Sequence, residues 1–328
     1  MEVKTNGKLY VAGEYQVLSD KGVAVIKGVN KGMNFRITPN IKFYYETRGK
    51  KYFFEYKEGK TDFLDNKDNI LIDSAITCAL EYLEFKKIEI EPFGLLVSTE
   101  LENKEGIKYG FGSSSALISG IIKSILSYVN LDVISDVIFK LSVLVQNRIG
   151  SLTSGGDLAA AIYGDYVYYQ RYNKKWFLKN SKKNNISIVE KKWNNLIISP
   201  FTSKMDFVAI WTKKSYETPY HDVNISKSSL KDAKRLVNGI YVSLKDNNYL
   251  KLKQGIKDYQ KWLNNNLDKE IFTKEIMKAL EITSRFNLAT KISGAGGGDS
   301  LICLVPNGYD FKEFKMELSK NDLELIML

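Results

Sequence analysis

The segment YGFGSSSALISG, Tyr109 to Gly120, constrains this chain more than any other. Two glycines, Gly110 and Gly112, precede Ser113, Ser114 and Ser115, and an apolar run from Ala116 to Val129 follows. That order reads as a tight loop feeding a buried helix. Glycine lets backbone approach a ligand closely, and serine caps a helix start. The unpaired N–H groups at a helix N-terminus, aligned with its macrodipole, attract anions. Serine hydroxyls in other phosphate loops also ligate Mg²⁺. The segment therefore points to a nucleotide phosphate. It lacks the Lys-Ser or Lys-Thr pair that closes a Walker loop, and its spacing is not that of the dinucleotide fingerprint. Taken alone, it fits an ordinary Gly/Ser loop capping a core helix equally well.

A length of 328 residues leaves room for two domains with sizeable cores. Apolar stretches fall short of the roughly 18 to 20 residues of a membrane span, and the opening MEVKTNGKLYV holds no signal-peptide core. A cytoplasmic protein with no membrane partner is expected. Cys78 and Cys303, the only cysteines, read as reduced and buried. A single histidine, His221, argues against zinc. The net charge of +10 admits nucleic acid, an anionic surface or small anions as partners. The lysines are scattered among acidic residues, and no nucleic-acid motif accompanies them. A small anionic substrate is the expected partner, with no nucleic acid. The densest basic stretch, Lys174 to Lys192, lies among asparagines and serines and reads as a solvated loop.

Short strands are expected at 8–12, 23–27, 33–38, 94–98 and 165–172, and a hairpin over 41–57 turning near Gly49. Helical spacing runs through Asn69–Phe85, Ala116–Val129 and Ile134–Arg148, and a short helix opens at Leu158. After a Lys- and Asn-rich linker at 173–186, a strand is expected at 206–212. Helices follow at 226–245, 249–265 and 269–286, then a glycine-rich turn at 291–298, a strand at 300–305 and a helix at 311–321. Strands and helices mix without regular βαβ alternation, so the expected class is α+β, with domains at 1–185 and 186–328.

Three further segments carry chemistry. In KLYVAGEYQVL, Lys8 to Leu18, a strand ends at Gly13, and Lys8 is the one cation. A lysine beside a phosphate is a point-charge clamp, and an exposed lysine on a hairpin is the plainer reading. In SLTSGGDLAAAIYGD, Ser151 to Asp165, Asp157 follows two glycines and precedes an apolar helix. It reads as a helix cap or as a carboxylate beside a transferred phosphoryl. In SGAGGGDSLICL, Ser293 to Leu304, four glycines fall within five positions. Such a cluster implies positive φ angles or close backbone approach, as an anion nest or as a flexible hairpin loop.

These four segments, in this order, resemble those of the GHMP kinase family. Lys8–Leu18, Lys108–Leu117 and Ser293–Leu304 are similar to its three motifs, and Ser154–Ala160 to the segment with its active-site aspartate. Gly13-Glu14-Tyr15, Lys108-Tyr109, Gly156-Asp157-Leu158-Ala159 and Gly298-Asp299 resemble the branch acting on phosphomevalonate. The resemblance implies a two-domain fold, with an N-terminal domain like ribosomal protein S5 domain 2 and a ferredoxin-like C-terminal domain. It implies ATP with Mg²⁺ and transfer to the phosphate of 5-phosphomevalonate. Lys8 and Asp157 would be catalytic. Gly110, Gly112, Ser113, Ser114 and Ser115 would hold the ATP phosphates, with Ser114 on the metal. Tyr15, Ser154, Thr218, Ser293, Gly294, Gly296, Gly297 and Asp299 would face the substrate, and Lys8, Arg148, Lys213, Lys214 and His221 are its candidate cations. Many members carry a glutamate before the catalytic segment as a second metal ligand; here that stretch reads Leu144-Val145-Gln146-Asn147-Arg148. An alcohol acceptor such as mevalonate, a non-catalytic ligand-binding protein on the same fold, and a homodimeric assembly all stay open.

Overall fold

The computed structural model describes residues 1–64, 69–131, 134–182, 185–214 and 225–328. The larger lobe carries strands β1 (Glu2–Ala12), β2 (Val23–Pro39), β3 (Tyr44–Thr47), β4 (Lys50–Lys57), β5 (Lys60–Phe63), β6 (Phe93–Thr99), β7 (Tyr166–Gln170) and β8 (Ile197–Phe201). Its helices are α1 (Ile70–Phe85), α2 (Ser113–Tyr128), α3 (Ser135–Arg148), α4 (Gly156–Tyr163) and α5 (Lys174–Asn180). The smaller lobe carries β9 (Asp206–Trp211), α6 (Lys227–Lys245), α7 (Tyr249–Asn266), α8 (Lys274–Arg285), β10 (Ala289–Ile292), β11 (Ser300–Val305), α9 (Lys312–Lys320) and β12 (Glu324–Met327).

The long strand β2 organises the larger sheet. One edge pairs along β1, with Lys8 opposite Gly28. The other edge is shared, β7 taking Val23 to Lys27 and β6 taking Met33 to Pro39. The sheet order is β5-β4-β3-β6-β2-β7-β8, with β1 added on β2. Helix α2 lies against β1 and β2 and is flanked by α1, α3 and α4. Its Ile118, Ile121, Ile122, Ile125 and Leu126 are fully buried, as an apolar helix in the middle of a lobe must be. The loop at its N-terminus is thereby anchored to the most enclosed element of the lobe.

The smaller sheet runs β10-β11-β9-β12, every neighbouring pair antiparallel. With one strand, helices, two strands, a helix and a last strand in chain order, this is the ferredoxin-like arrangement expected. The α+β class holds as well. Strands β5, β8, β10 and β12 are additions to the expected set; β10 hides in sequence because the glycines after it look like one continuous turn.

The described residues of the expected linker at 173–186 are instead folded. Asn173 caps α5, its side chain accepting the Trp176 N–H at 2.8 Å. Among the lysines stand Phe177, Ile188, Val189 and Trp193, all buried. Phe177 and Tyr172 pack on Trp193 with ring centroids 5.0 and 5.1 Å apart. Strand β8 then pairs with β7, so Ile197–Phe201 belong to the larger sheet. This strand of the larger sheet lies beyond residue 186, where the second domain was expected to begin.

The seat of α2 on the sheet is tight at Gly120, where a Cβ would overlap the Phe35 ring of β2. Gly120→Ala is expected to cost about 1–3 kcal/mol by overpacking. Gly239→Ala in α6 meets nothing within 4 Å and is expected to gain roughly 0.5–1 kcal/mol. Urea unfolding of the two variants checks the contrast, and equal shifts would contradict this packing.

Candidate active site

The loop before α2 is shaped by two left-handed glycines, Gly110 at φ 78° and Gly112 at φ 74°. Gly112, not a serine, occupies the N-cap, and no side chain caps the helix. Only a residue without Cβ adopts that conformation cheaply, so glycine takes the position serine was expected to fill. The Ala116 N–H closes the first helical bond, to Gly112 O at 3.2 Å. Ser113, Ser114 and Ser115 hold the orphan amides that every helix start leaves. The Ser114 side chain is exposed and that of Ser115 buried, so Ser115 offers its amide rather than its hydroxyl.

Lys8 lies beneath this loop. Its N–H donates to Phe111 O at 2.9 Å, fastening β1 to the loop. Its side chain is only 8% exposed and its ammonium sits 3.1 Å from Asp157 Oδ2. A Cβ on Gly112 would come within 2.6 Å of Lys8 Cε, and one on Gly294 within 3.8 Å of Lys8 Nζ. The lysine stem therefore runs between a glycine of each lobe. Asp157 stands in the first turn of α4, whose N-cap is Gly155 at φ 89°. It does not cap the helix, which leaves its carboxylate for Lys8.

Tyr10, which the sequence reading passed over, holds this pair in place. Its ring lies 5.3 Å from Lys8 Nζ, and its hydroxyl is 3.3 Å from Ser154 Oγ. Burial pushes its phenol well above the usual tyrosine range, and the Asp157 carboxylate adds to the push. Ser154 is itself buried, its Oγ accepting the Gly156 N–H at 3.3 Å and its carbonyl accepting Tyr169 OH at 2.7 Å. Its hydroxyl is thus engaged in orienting the start of α4.

The smaller lobe reaches the site through its glycine cluster. Ser293 Oγ accepts the Tyr10 N–H at 2.7 Å, and Tyr15 OH donates to Ala295 O at 2.6 Å. The Gly294 N–H donates to Glu14 Oε1 at 3.4 Å and the Gly297 N–H to Ile271 O at 2.8 Å. A Cβ on Gly296 would overlap the Ile271 side chain. The expected anion nest is therefore partly spent inside the protein. These glycines serve close approach of one backbone to another, and two of their amides already have acceptors. Asp299, at φ 56°, packs its side chain against Gly110, and Ser300 Oγ donates to Tyr109 O at 2.7 Å. The two loops meet edge to edge.

Behind them lies an ion pair with no forewarning in the sequence. Lys291 of β10 and Glu14, in the turn after β1, pair with side chains 0% and 2% exposed. Burial pushes the Glu14 carboxyl up against the pull of Lys291, and burial lowers the Lys291 ammonium against the pull of Glu14.

Other expected cations are engaged elsewhere. Arg148 pairs with Glu81 at 2.5 Å, Lys213 with Asp322 at 2.8 Å, and Lys214 with Glu275. Thr218 and His221 lie outside the described residues. Among the described residues no cluster of three or more His, Cys, Asp or Glu fits a metal ion. Nor, among them, is any helix long and apolar enough to cross a membrane.

Comparison with known proteins matches both lobes. The family model "GHMP kinases N terminal domain" matches residues 73–165, and "GHMP kinases C terminal" matches residues 244–321. The phosphomevalonate kinase of Streptomyces sp. (strain CL190) is 22% identical over 331 residues, covering 91% of this chain and 88% of that protein. The mevalonate kinase of Methanocaldococcus jannaschii is 27% identical over 260 residues, covering 76% of this chain and 73% of that protein. Among solved structures, Streptococcus pneumoniae phosphomevalonate kinase in complex with phosphomevalonate and AMPPNP matches with a TM-score of 0.88 at 27% identity, covering 99% of this chain and 98% of that one.

Gly112→Ala puts a Cβ at a left-handed position and against the Lys8 stem. It is expected to weaken nucleotide binding about tenfold or more, ~1.4 kcal/mol, in calorimetric titration. Unchanged affinity would contradict the geometry of the loop.

Proposed function

This chain belongs to the GHMP kinases, and we propose that it transfers the γ-phosphoryl group of ATP to the phosphate of 5-phosphomevalonate, giving mevalonate 5-diphosphate and ADP. The observation that carries this reading is the Lys8 ammonium, buried between Gly112 at the start of α2 and Gly294 of the smaller lobe. A cation held there, beside three orphan amides, suits a place where two polyanions meet.

An acceptor phosphate oxygen bonds to the γ-phosphorus as the bond from that phosphorus to the β,γ-bridging oxygen breaks, and ADP departs with the electron pair. The transition state is loose, so the protein contributes mainly alignment and charge neutralisation. Amides of Ser113, Ser114 and Ser115 receive the triphosphate, and Lys8 offsets charge shared by donor and acceptor. Ser114's exposed hydroxyl, ATP oxygens and water are hard oxygen donors of the kind Mg²⁺ takes, and that stretch of the chain offers no carboxylate in their place. An Mg²⁺ ion held there would supply neutralisation of the phosphate charge. The buried free thiols of Cys78 and Cys303 support a cytoplasmic setting.

A phosphomonoester with a second pKa of about 6 is mostly dianionic at neutral pH and needs no proton removed. Asp157 then acts chiefly on Lys8, which its 3.1 Å contact favours over service as a base. Likeness to mevalonate kinases makes the alcohol mevalonate the competing acceptor, and there a base at Asp157 would matter more.

Coupled ADP release separates the acceptors: phosphomevalonate is expected to support turnover and mevalonate to leave it near background, and the reverse order would overturn this assignment. Lys8→Met is expected to lower kcat by on the order of 100–1000-fold, and Asp157→Asn by clearly less. Equal or greater loss in Asp157→Asn, at saturating substrates, would contradict this division of roles.

A further inference from the structure

Lys291 Nζ has three protons and three acceptors: Glu14 Oε1, Tyr10 O at 3.2 Å and Ile292 O. Glu14 Oε1 accepts the Gly294 N–H as well, and Glu14 O accepts Tyr259 OH of α7 at 2.8 Å. Glu14 Oε2 is buried with no hydrogen-bond partner among the described residues. Such an arrangement is a poor device for stability alone. Two charges leave water, one oxygen stays unsatisfied, and well-packed apolar side chains often serve stability as well or better. Its distinction is where its bonds end. Tyr10 is two residues from Lys8 on β1, and Gly294 sits against the Lys8 ammonium. The Tyr10 backbone is held at both its polar groups, its N–H by Ser293 Oγ and its C=O by Lys291. Lobe to lobe, these contacts set the gap between Lys8 and the Gly294 turn.

We infer that Glu14 and Lys291 are positioning residues for the transfer step: they hold the Gly294 turn at a fixed distance from Lys8, so that the acceptor phosphate lies in line with the γ-phosphoryl. This rests on the reading of the site given above and names what enforces its alignment. In-line geometry decides which oxygen captures the γ-phosphoryl in a loose transition state. Loosening the clasp lets water in its place: the water oxygen bonds to the γ-phosphorus, ADP leaves as before, and inorganic phosphate and a proton appear instead of the diphosphate product.

The test compares Glu14→Gln, Lys291→Met and the milder Tyr259→Phe in the full chain. ADP, mevalonate 5-diphosphate and inorganic phosphate are measured in one reaction with saturating ATP and phosphomevalonate. The ratio of inorganic phosphate to diphosphate product does not depend on how much of a preparation is folded. Wild-type protein is expected to give almost no free phosphate. Glu14→Gln and Lys291→Met are expected to lose about tenfold or more in kcat, with KM for ATP changed less than about threefold and free phosphate rising to roughly a tenth of the ADP or more. Tyr259→Phe is expected to shift the ratio the same way by less, and it decides the matter if the charge variants do not fold. An unchanged ratio in the folded variants would overturn the inference and leave the pair purely structural. Wild-type protein that makes no diphosphate from phosphomevalonate would instead overturn the assignment of the reaction.

Discussion

A buried lysine needs a counter-charge, and this protein buries two of them back to back at the junction of its lobes. Lys8 answers to Asp157 and Lys291 to Glu14, with Tyr10 between the pairs. An unpaired ammonium in such surroundings would shed its proton or draw in water, since desolvation outweighs anything packing returns. Much of the local sequence answers to that requirement. Gly112 lacks a side chain because the Lys8 stem occupies the space, and Gly294, beside the ammonium, is held to glycine by its φ of 93°. Gly155 adopts a left-handed conformation so that α4 starts where Asp157 meets Lys8. Ser154 and Ser293 spend their hydroxyls on the backbone and phenol of this same knot.

The consequence for chemistry is that the charge facing the crevice is arranged before any ligand arrives. Lys8 is oriented from one side by Asp157 and from beneath by the Tyr10 ring, and the α2 amides stand ready beside it. Preorganised donors and charges act where charge develops without reorganising at the moment of reaction. The surface lysines contribute differently. Lys213 and Lys214 pair with carboxylates of the smaller lobe, and such exposed pairs bring little energy. The net charge of the chain is thus a poor guide to its site; one enclosed cation carries more of the argument than the excess spread over the surface.

The local parts of the site were legible and the long-range parts were not. The loop and helix at 110–128 could be read because glycine spacing and an apolar run are properties of neighbours in sequence. Lys8 and Asp157 could be read only through the resemblance, since each alone is an ordinary strand lysine or helix-start aspartate. The Glu14–Lys291 pair joins residues 277 positions apart, and no periodicity or spacing announces such a pairing. The glycine cluster was recognised as special, but whether its amides face a ligand or the protein depends on what packs against it, here Ile271 and Glu14. Composition misled once. Lysine and asparagine between 173 and 186 suggested a linker, while the residues that decide the fate of that stretch and the one after it, Phe177, Ile188 and Trp193, are few and buried. At the start of α2 the serines drew attention as caps, yet a left-handed turn admits glycine where a serine would be strained.

The central claim is that the first turn of α2 and the Lys8 ammonium together receive the triphosphate. A crystal structure of the protein with a non-hydrolysable ATP analogue and phosphomevalonate tests it most directly. The account predicts phosphate oxygens within about 3 Å of the Ser113–Ser115 amides, with Lys8 Nζ between donor and acceptor phosphates at similar distances. A triphosphate bound away from that turn, or a Lys8 side chain that contacts neither phosphate, would contradict it.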